Sequence, residues 1–426
     1  MSVAVSTFPL SRLRRVLIVG DFADVISGQA KVAIDSARIL ADAGIDVTFF
    51  AACGPVSRRL EHPRIQTVCL DQRTILDDPN RLRAMVRGIW NGTALAELRR
   101  VMAEHDPDST VLHCHGFAKA LSPSIGRALT DRRMRSVFTM HEYFLACPNG
   151  GFFDYRRHEI CTRRPLGLSC IATDCDVRHR THKAWRVMRG VFAAGPGRLP
   201  RSLRDVVYIS ETQRRAIQPY LSDRVRLHSI PNPVETGGAP VNWRANRHLL
   251  FVGRMSREKG GLQLAEAARR LGMPVRFVGD GPEADAIRAA NPDAEITGWV
   301  DAEEVQKHLS EARALVFPSL WYEGQPLVPI EAQLRGVPVV CGGWSAAAEE
   351  VHDGENGIVY ETAGTDSLVA ALERLDSLME FDNSELAGKV SPDAHRENLI
   401  ALYERMLAAE SRQGERSSSN SRSSAA

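Results

Sequence analysis

The chain has 426 residues, 44% of them hydrophobic and 25% charged, and a formal net charge of +2. This composition excludes collagen-like, coiled-coil and wholly disordered chains, and the length predicts two or three domains. The charge is unevenly spread, because residues 156–215 contain 14 Lys and Arg against 5 Asp and Glu, a local excess of +9. Such an excess indicates an anionic partner near one surface, although a general preference for Arg over Lys produces the same count.

Short apolar runs alternate with helix-like segments along the chain. Such runs are typical of buried parallel strands, and they fall into two series. The first series is RVLIVG (15–20), VTFFAA (47–52), TVLHC (110–114), SVFTMH (136–141) and VVYIS (206–210). The second is LLFVG (249–253), VRFVG (275–279), EITG (295–298), ALVFP (314–318), VPVVC (337–341) and GIVY (357–360). The sequence therefore predicts an α/β protein with two doubly wound, Rossmann-like domains and a cleft between them.

The break between the two series sets the expected domain boundaries. Three Pro and two adjacent Gly lie between Ile230 and His248, a composition that favours a hinge. A segment rich in Cys and Arg interrupts the first series and is interpreted as an insertion. The resulting plan is an N-terminal domain over 1–236 with an insertion at 145–203, a C-terminal domain over 245–385, a helix within 386–410 and a disordered tail over 411–426.

Half of the eight cysteines lie in the insertion. Four thiols can bind one Zn²⁺ tetrahedrally, but they lack the C-x2-C pairs of a zinc ribbon, so free thiols and a redox role stay open. The N-terminus has no signal-peptide pattern and no apolar run is long enough for a transmembrane helix, so we expect a cytoplasmic protein. The candidate zinc ligands are Cys147, Cys161, Cys170 and Cys175.

Two loops of the first series contain candidate binding residues, since open parallel sheets bind ligands beyond the carboxyl ends of their strands. Gly28 follows the first strand, where a glycine lets backbone N–H groups approach a phosphate at a helix N-terminus. The string GDFADVISG does not match G-x-G-x-x-G, which argues against a dehydrogenase. His141 ends another strand and is either catalytic or packed, whereas His113 and His115 are interpreted as structural.

The second series contains two charged constellations. VGRMSREKGG places Arg254 and Lys259 in a loop before a helix, a suitable site for a diphosphate. PSLWYEGQPLVPIEAQLRGVPVV (318–340) places Glu323 just before a helix that should begin near Pro326, and Glu331 inside that helix. Carboxylates are strong acceptors for sugar hydroxyls, so one glutamate can bind a sugar and the other a ribose, with a diphosphate between them.

In this order, the motifs resemble those of the retaining glycosyltransferases of family 4, which have the two-domain GT-B fold. The resemblance covers about residues 14–380 and departs from the common pattern in the SGQA loop and at Gln325. The matching pieces are the Gly28 loop, His141 in HEYF, Ser210-Glu211, GRMSREKG, VGDGP, Gly298 before Val300, and EGQPLVPIE followed by GVPVV.

The resemblance implies a hexosyltransferase of the EC 2.4 class. A nucleotide-diphosphosugar would bind mainly to the C-terminal domain, and a glycan, lipid-linked or small-molecule acceptor to the N-terminal one, with no metal required for catalysis. It implies that Glu323 faces the hexose, Glu331 the ribose, and Arg254 and Lys259 the diphosphate. We expect His141 near the anomeric centre. The resemblance also implies that the final helix crosses back onto the N-terminal domain. The remaining donor-binding positions are Gly28, Gly298, Val300, Gly324, Gln325, Leu327 and Val328.

The basic residues of the insertion include a helical stripe formed by Lys183, Arg186 and Arg189. It is interpreted either as a patch for a lipid-linked diphosphate or an anionic membrane, or as a solvated face. The membrane interpretation would place the protein peripherally at the inner membrane face. Two other functions stay open: a GT-B nucleotide-sugar epimerase, and a Cys-cluster nucleic-acid-binding protein. The second leaves the Glu and Arg/Lys constellations unexplained, so no nucleic-acid partner is expected.

Overall fold

The N-terminal half is built on a seven-stranded parallel sheet. The computed structural model describes residues 12–235 and 238–423, with side chains as far as residue 408. The sheet has the strand order β3-β2-β1-β4-β5-β8-β9, and β6 and β7 form a separate antiparallel hairpin. The strands are β1 (Arg15–Phe22), β2 (Asp46–Cys53), β3 (Ile65–Cys69), β4 (Thr110–Cys114), β5 (Arg135–Thr139), β6 (Phe153–Asp154), β7 (Glu159–Ile160), β8 (Asp205–Tyr208) and β9 (Arg226–Ser229).

The C-terminal half is built on a six-stranded parallel sheet with the order β12-β11-β10-β13-β14-β15. In both sheets the order reverses beside the first strand, which leaves a crevice at the carboxyl edge where a ligand can bind. The strands are β10 (His248–Val252), β11 (Val275–Val278), β12 (Glu295–Gly298), β13 (Ala312–Phe317), β14 (Val339–Gly342) and β15 (Gly357–Tyr360).

Helices connect successive strands of the two sheets and cover their faces. In chain order they are α1 (Gly28–Asp42), α2 (Arg81–Ile89), α3 (Gly92–Ala103), α4 (Gly126–Leu129), α5 (Leu168–Ala172), α6 (Arg180–Ala194), α7 (Glu211–Ile217), α8 (Gly261–Leu271), α9 (Ala284–Ala290), α10 (Ala302–Ser310), α11 (Leu327–Leu334), α12 (Thr365–Glu373), α13 (Ser384–Val390) and α14 (Pro392–Ser423). No helix in the described part of the chain has an apolar stretch long enough to cross a membrane.

The predicted fold class is confirmed, because every apolar run named above contains a strand of one of the two parallel sheets. The sequence reading missed β3 and β9, which lie at the two edges of the first sheet and are only partly buried. A strand that exposes one side has no continuous apolar run, so an apolar run does not predict it. The β5 strand also ends earlier than expected, which leaves His141 in the loop beyond it.

The C-terminal helix returns to the N-terminal half. Leu399, Leu402, Tyr403, Met406 and Leu407 of α14 belong to the same buried cluster as strands β1 and β2. The helix continues to Ser423, through most of the segment expected to be a disordered tail, and residues 424–426 of that tail lie outside the described residues. Ala408, Ala409 and Glu410 just before this segment, and Arg412 and Gln413 within it, favour helix formation, whereas the serines that follow do not.

Direct hydrogen bonds join the two halves beside the crevice. The Tyr143 hydroxyl donates to the Glu323 carbonyl oxygen at 3.3 Å. The side-chain oxygen of Gln325 accepts from the backbone N–H of Asn232 at 2.6 Å. The Glu349 carboxylate accepts from the first two backbone N–H groups of α7, where an anion is favoured by the helix dipole. The carboxyl edges of the two sheets are therefore held facing each other.

We predict that Asp21→Asn destabilises the N-terminal half by about 2 kcal/mol. Asp21 is buried in β1, and its carboxylate accepts from the backbone N–H groups of Lys119, Ala120 and Leu121 at 2.8 to 3.0 Å. An amide in its place turns an NH₂ group toward one of these donors. Urea denaturation measures the loss, and Asp285→Asn, on an exposed side chain in α9, should leave the midpoint unchanged. An unchanged midpoint for Asp21→Asn would contradict this role.

Candidate functional site

A cavity of about 780 Å³ opens between the carboxyl edges of the two sheets. It brings together residues of both halves that lie far apart in the sequence. The N-terminal half also contributes Arg186 and Arg189 from α6, so the cavity wall is cationic on that side. The predicted site residues that line the cavity are Gly28, His141, Glu323, Gly324, Gln325 and Leu327.

The remaining predicted donor-binding residues lie on the C-terminal half outside the lining of this cavity. They are connected to it through Glu323, whose carboxylate contacts Lys259 directly. The predicted residues are therefore divided between those that line the cavity and those of the C-terminal half that do not. The residues of this second group are Arg254, Lys259, Gly298, Val300, Val328 and Glu331.

Glu323 is the centre of a compact polar cluster. Its Oε1 atom lies 2.6 Å from Lys259 Nζ, 2.6 Å from the indole Nε1 of Trp321 and 2.9 Å from Ser319 Oγ. Lys259 Nζ also lies 5.5 Å from the centre of the Trp321 ring. Three donors on one carboxylate oxygen fix the side chain, and the carboxylate in turn balances the ammonium charge.

The loop that contains Arg254 is positioned by glycines of the VGDGP turn. A Cβ at Gly279, where φ is +133°, would lie 2.2 Å from the carbonyl oxygen of Gly253, and a Cβ at Gly281 would lie 2.3 Å from that of Met255. Only glycine lets the two strand-end loops approach this closely. The Arg254 side chain is exposed and makes no hydrogen bond or ion pair with other described residues, so its guanidinium is available to a ligand.

Helix α11 offers free backbone donors beside these cations. It begins at Leu327 after Pro326, close to the predicted start, and no side chain caps its N-terminus. The N–H groups of Leu327 and Val328 therefore have no partner within the helix and carry the positive end of its dipole. A diphosphate at this position would meet these donors together with Lys259, which contacts Glu323 just before the helix.

Glu331 lies in the second turn of α11. Its carboxylate accepts from Gln306 Nε2 at 3.2 Å. Burial raises the pKa of Glu331 above its ordinary value, against the opposing effects of the Lys31 charge and the Gln306 hydrogen bond. Gly298, with φ at +79°, closes the neighbouring loop and accepts from the N–H of Gly279 at 2.9 Å. Val300 packs against the core under this loop.

On the opposite wall, Gly28 is the first residue of α1. The Ser27 hydroxyl caps this helix by accepting from the N–H of Ala30, and Ser27, Gly28 and Gln29 all line the cavity. A Cβ at Gly28 would meet no atom within 4 Å, so packing alone does not require glycine at this position. The space in front of this helix terminus is open to a ligand, and its free N–H groups favour an anion.

His141 belongs to a buried histidine chain that the sequence reading did not detect. Its Nε2 atom lies 3.1 Å from Nδ1 of His115, and the His115 ring lies 4.2 Å from that of His113. His113 in turn contacts the hydroxyls of Thr139 and Tyr403, each at 2.6 Å. The interpretation of His113 as structural agrees with these contacts, but His115 contacts the cavity residue itself. The sequence positions of His113 and His115 could have indicated this contact. Both lie at the carboxyl end of β4, which pairs with β5, the strand that leads to His141.

The protonation of this chain follows from its surroundings. Burial lowers the pKa of His141 to about 3 and that of His115 well below its ordinary value, so both rings are neutral at neutral pH. His115 Nε2 is buried without a partner, and a bare lone pair costs less there than an unpartnered N–H. We infer that His115 Nδ1–H donates to His141 Nε2. His141 then carries its proton on Nδ1.

The interpretation of Lys183, Arg186 and Arg189 as one solvated or membrane-facing stripe is wrong, whereas a patch for a lipid-linked diphosphate stays a prediction. Lys183 and Arg189 are buried, and Arg186 pairs with the buried Asp176 at 2.8 Å. Arg189 stacks on Phe144, and burial together with the Arg186 charge lowers its pKa to about 10, so it remains a cation. Arg186 and Arg189 turn toward the cavity, whereas Lys183 turns toward the thiols of the insertion.

The structure gives no support to the predicted zinc site. Cys147, Cys161, Cys170 and Cys175 are free thiols, and the described residues include no group of three or more His, Cys, Asp or Glu side chains that could hold a metal ion. The Lys183 ammonium instead lies 3.1 Å from Cys175 Sγ and 3.6 Å from Cys170 Sγ. A buried cation among the thiols opposes the binding of a second one.

Two family models match successive parts of the chain. Residues 26–237 match "Glycosyltransferase Family 4", and residues 246–377 match "Glycosyl transferases group 1". The chain belongs to glycosyltransferase family 4. This membership confirms the family and the enzyme class that the sequence predicts. The boundary between the two matches falls in the Pro- and Gly-rich segment that was interpreted as a hinge.

Individual relatives resemble this family 4 chain over shorter stretches. A GDP-mannose-dependent alpha-mannosyltransferase of Corynebacterium glutamicum is 32% identical over 29% of this chain and 30% of its own length. The alpha-maltose-1-phosphate synthase of Mycolicibacterium smegmatis is 26% identical over 51% of this chain and 58% of its own. The matches to the curated relatives span between 26% and 58% of those proteins.

A solved structure confirms the GT-B fold over nearly the whole chain. The sucrose-phosphate synthase of Thermosynechococcus elongatus superposes with a TM-score of 0.62 at 17% identity. The superposition covers 96% of this chain and 100% of that one. At this identity the likeness concerns the fold alone.

We predict that His115→Phe changes the tautomer of His141. ¹⁵N spectra of histidine-labelled protein, with His141 assigned by its Gln variant, should show the Nδ1–H form in the wild type. Without the His115 donor, the Nε2–H form, which predominates for free histidine in water, should become the major one. His115→Asn places an amide donor near the position of Nδ1 and should retain the wild-type signal. An Nε2–H tautomer in the wild type, or no change in the Phe variant, would contradict the inference.

Proposed function

We propose that this protein transfers a hexose, with retention of anomeric configuration, from a nucleotide-diphosphosugar to an acceptor hydroxyl. The observation that supports this most directly is the contact between Lys259 and Glu323, a residue of the cavity wall, just before the uncapped N-terminus of α11. A cation next to free helix N–H groups suits a diphosphate, and a carboxylate next to both suits the hydroxyls of the sugar that the diphosphate carries.

The proposed reaction takes place on one face of the sugar. The bond between the anomeric carbon and the diphosphate oxygen breaks as the acceptor oxygen approaches from the same side, and the acceptor proton passes to the leaving phosphate oxygen. Arg254, Lys259 and the α11 N–H groups stabilise the charge that develops on the leaving group. These groups are preformed in the structure, so little reorganisation is needed during the reaction. Family 4 enzymes generally require no metal, and these cations would take its place.

Lys259 and Glu323 bind different parts of the donor. Without donor they neutralise each other at 2.6 Å. The diphosphate brings two or more negative charges and competes for Lys259, which frees the Glu323 carboxylate to accept from hexose hydroxyls. His141, with its proton on Nδ1 and no partner for that atom among the described residues, would donate to an oxygen of the sugar near the anomeric centre.

The acceptor is proposed to bind on the N-terminal side of the cavity. The acceptor is a glycan, a lipid-linked molecule or a small molecule that carries the reacting hydroxyl. The product belongs to a cell-surface polysaccharide or glycoconjugate. Arg186 and Arg189 in the cavity wall favour an acceptor with negative charge. The transfer would take place in the cytoplasm, where nucleotide-sugars are available.

Thermal-shift screening against nucleotide-diphosphosugars tests the proposed donor class. A donor at one hundred times its Kd should stabilise the protein by about 2.7 kcal/mol, because it binds only the folded state. UDP- and GDP-linked hexoses are the first compounds to test. Product analysis without acceptor separates the epimerase alternative, since an epimerase would interconvert the donor sugars and release no saccharide product. A panel with no stabilising nucleotide-diphosphosugar would contradict the proposal.

We predict that Glu323→Ala and Lys259→Ala each lower the transfer rate at least about tenfold while the fold is retained. Removal of the lysine takes a positive charge from the leaving group, and removal of the glutamate takes an acceptor from the hexose. Initial rates under saturating donor measure the effect. Lys307→Ala, which removes an exposed lysine of α10, is the matched control and should leave the rate unchanged. Wild-type rates in either site variant would count against the assignment.

A pH dependence of donor binding is expected from Glu331. Its carboxylate must be ionised to accept strongly from ribose hydroxyls, and burial raises its pKa above the ordinary 4.5. Donor affinity should therefore fall as the pH is lowered through that raised value, and the loss should begin at a higher pH than for an exposed glutamate. Calorimetric titrations should show that Glu331→Gln binds more weakly at pH 7.5 and loses this pH dependence. A dependence that persists in the variant would assign it to another group.

A further inference from the structure

Helix α6 has its polar and apolar faces in the reverse of the usual arrangement. Lys183 and Arg189 face inward, whereas the outward stripe is apolar and includes Ala184, Met188 and Val191. Met188 and Val191 are each 51% exposed. A helix on the surface of a soluble domain normally turns its charges outward and its apolar residues toward the core. The inward charges are explained by the cavity wall and the thiol cluster, but the outward apolar stripe has no partner in the described chain.

Helix α2 lies beside α6 and exposes a second apolar stripe. Leu82 is 72% exposed and Val86 is 59% exposed, and Met85 next to them is half exposed. The two helices are joined by the indole of Trp185, which donates to the Met85 carbonyl oxygen at 3.1 Å. Gly88 of α2 lets the Trp185 ring pack closely, since a Cβ there would lie 2.6 Å from it. We call the outward stripes of these two helices the α2–α6 surface.

Arginines border the α2–α6 surface. Arg178 and Arg180 lie at the start of α6 and are exposed, whereas on α2 Arg81 donates to backbone carbonyl oxygens and Arg83 pairs with the buried Asp78. The side chains of Arg178 and Arg180 make no hydrogen bond or ion pair with other residues of the described chain. Exposed apolar side chains with arginines around them are the pattern of a helix that lies in a membrane interface, where the apolar groups enter the acyl boundary and the arginines meet anionic headgroups.

The surface also adjoins the acceptor side of the cavity. Met85 and Trp185 contribute to the lining of the cavity, together with Leu76, which is 53% exposed, and Arg178. The apolar stripes and the cavity therefore share wall residues. A molecule anchored in a bilayer under the α2–α6 surface would have its headgroup next to the cationic wall of the cavity.

We propose that the α2–α6 surface binds the interface of an anionic phospholipid bilayer, and that the acceptor enters the cavity from that bilayer with its lipid anchor left in it. The second part rests on the proposed function, whereas the binding of lipid does not. A second copy of this chain is disfavoured as the occupant, because a two-fold contact through the same surface would bring the flanking arginines of both copies together.

Vesicle flotation tests the proposal with the full chain. Vesicles of phosphatidylcholine alone are compared with vesicles in which roughly one third of the lipid is phosphatidylglycerol. The wild type should float with the anionic vesicles and bind the neutral ones more weakly. The double variants Met188→Glu/Val191→Glu and Leu82→Glu/Val86→Glu should each lose at least about tenfold of the bound fraction, because a carboxylate must then enter the apolar boundary.

Met379→Glu is the matched control. Met379 is 71% exposed but lies in the C-terminal half, away from the surface, so this variant should float like the wild type. All of these positions are exposed, and circular dichroism and stabilisation by the donor should be unchanged in every variant. Equal flotation of wild type and double variants, or no flotation of the wild type, would overturn the proposal. A wild-type dimer that the double variants convert to a monomer, without vesicle binding, would assign the surface to a second copy instead.

Discussion

The ion pair between Lys259 and Glu323 connects the elements on which the candidate site depends. Lys259 precedes α8, and Glu323 stands between β13 and α11, so the contact joins two strand-end loops of the C-terminal sheet. Gly260, with φ at +70°, allows the first loop to pack on the second, since a Cβ there would lie 2.1 Å from the Pro318 carbonyl oxygen. The Glu323 backbone also accepts from Tyr143 of the other half. The donor side, the cavity and the contact between the halves therefore meet at one residue.

The acceptor side is organised by a different constraint, the burial of cations. Lys183 among the thiols and Arg189 on Phe144 are held inside the insertion, where each needs nearby acceptors or an aromatic face to offset the loss of water. Because these charges face inward, α6 is left with apolar residues outside. One arrangement thus accounts for a cationic cavity wall, for the absence of a metal cluster among the described residues, and for the exposed stripe that we assign to a bilayer.

The sequence was sufficient for the parts of the molecule that depend on local pattern. Both sheets followed from apolar runs, and the start of α11 followed from Pro326. The edge strands β3 and β9 could not be found in this way, because partial exposure removes the apolar run. The sequence also could not show which way the charged side chains of α6 face. The helical spacing of Lys183, Arg186 and Arg189 is the same whether these side chains face water or a cavity. The contact of His115 with His141 required the strand order of the sheet.

The anomeric configuration of the transfer product tests the central claim most directly. The protein would be incubated with an α-linked nucleotide-diphosphohexose that stabilises it and with a panel of saccharide and lipid-linked acceptors, and the anomeric proton coupling of the product would be measured by NMR. The account predicts an α-linked product together with release of the nucleoside diphosphate. A β-linked product, or interconversion of the donor sugar without transfer, would contradict it.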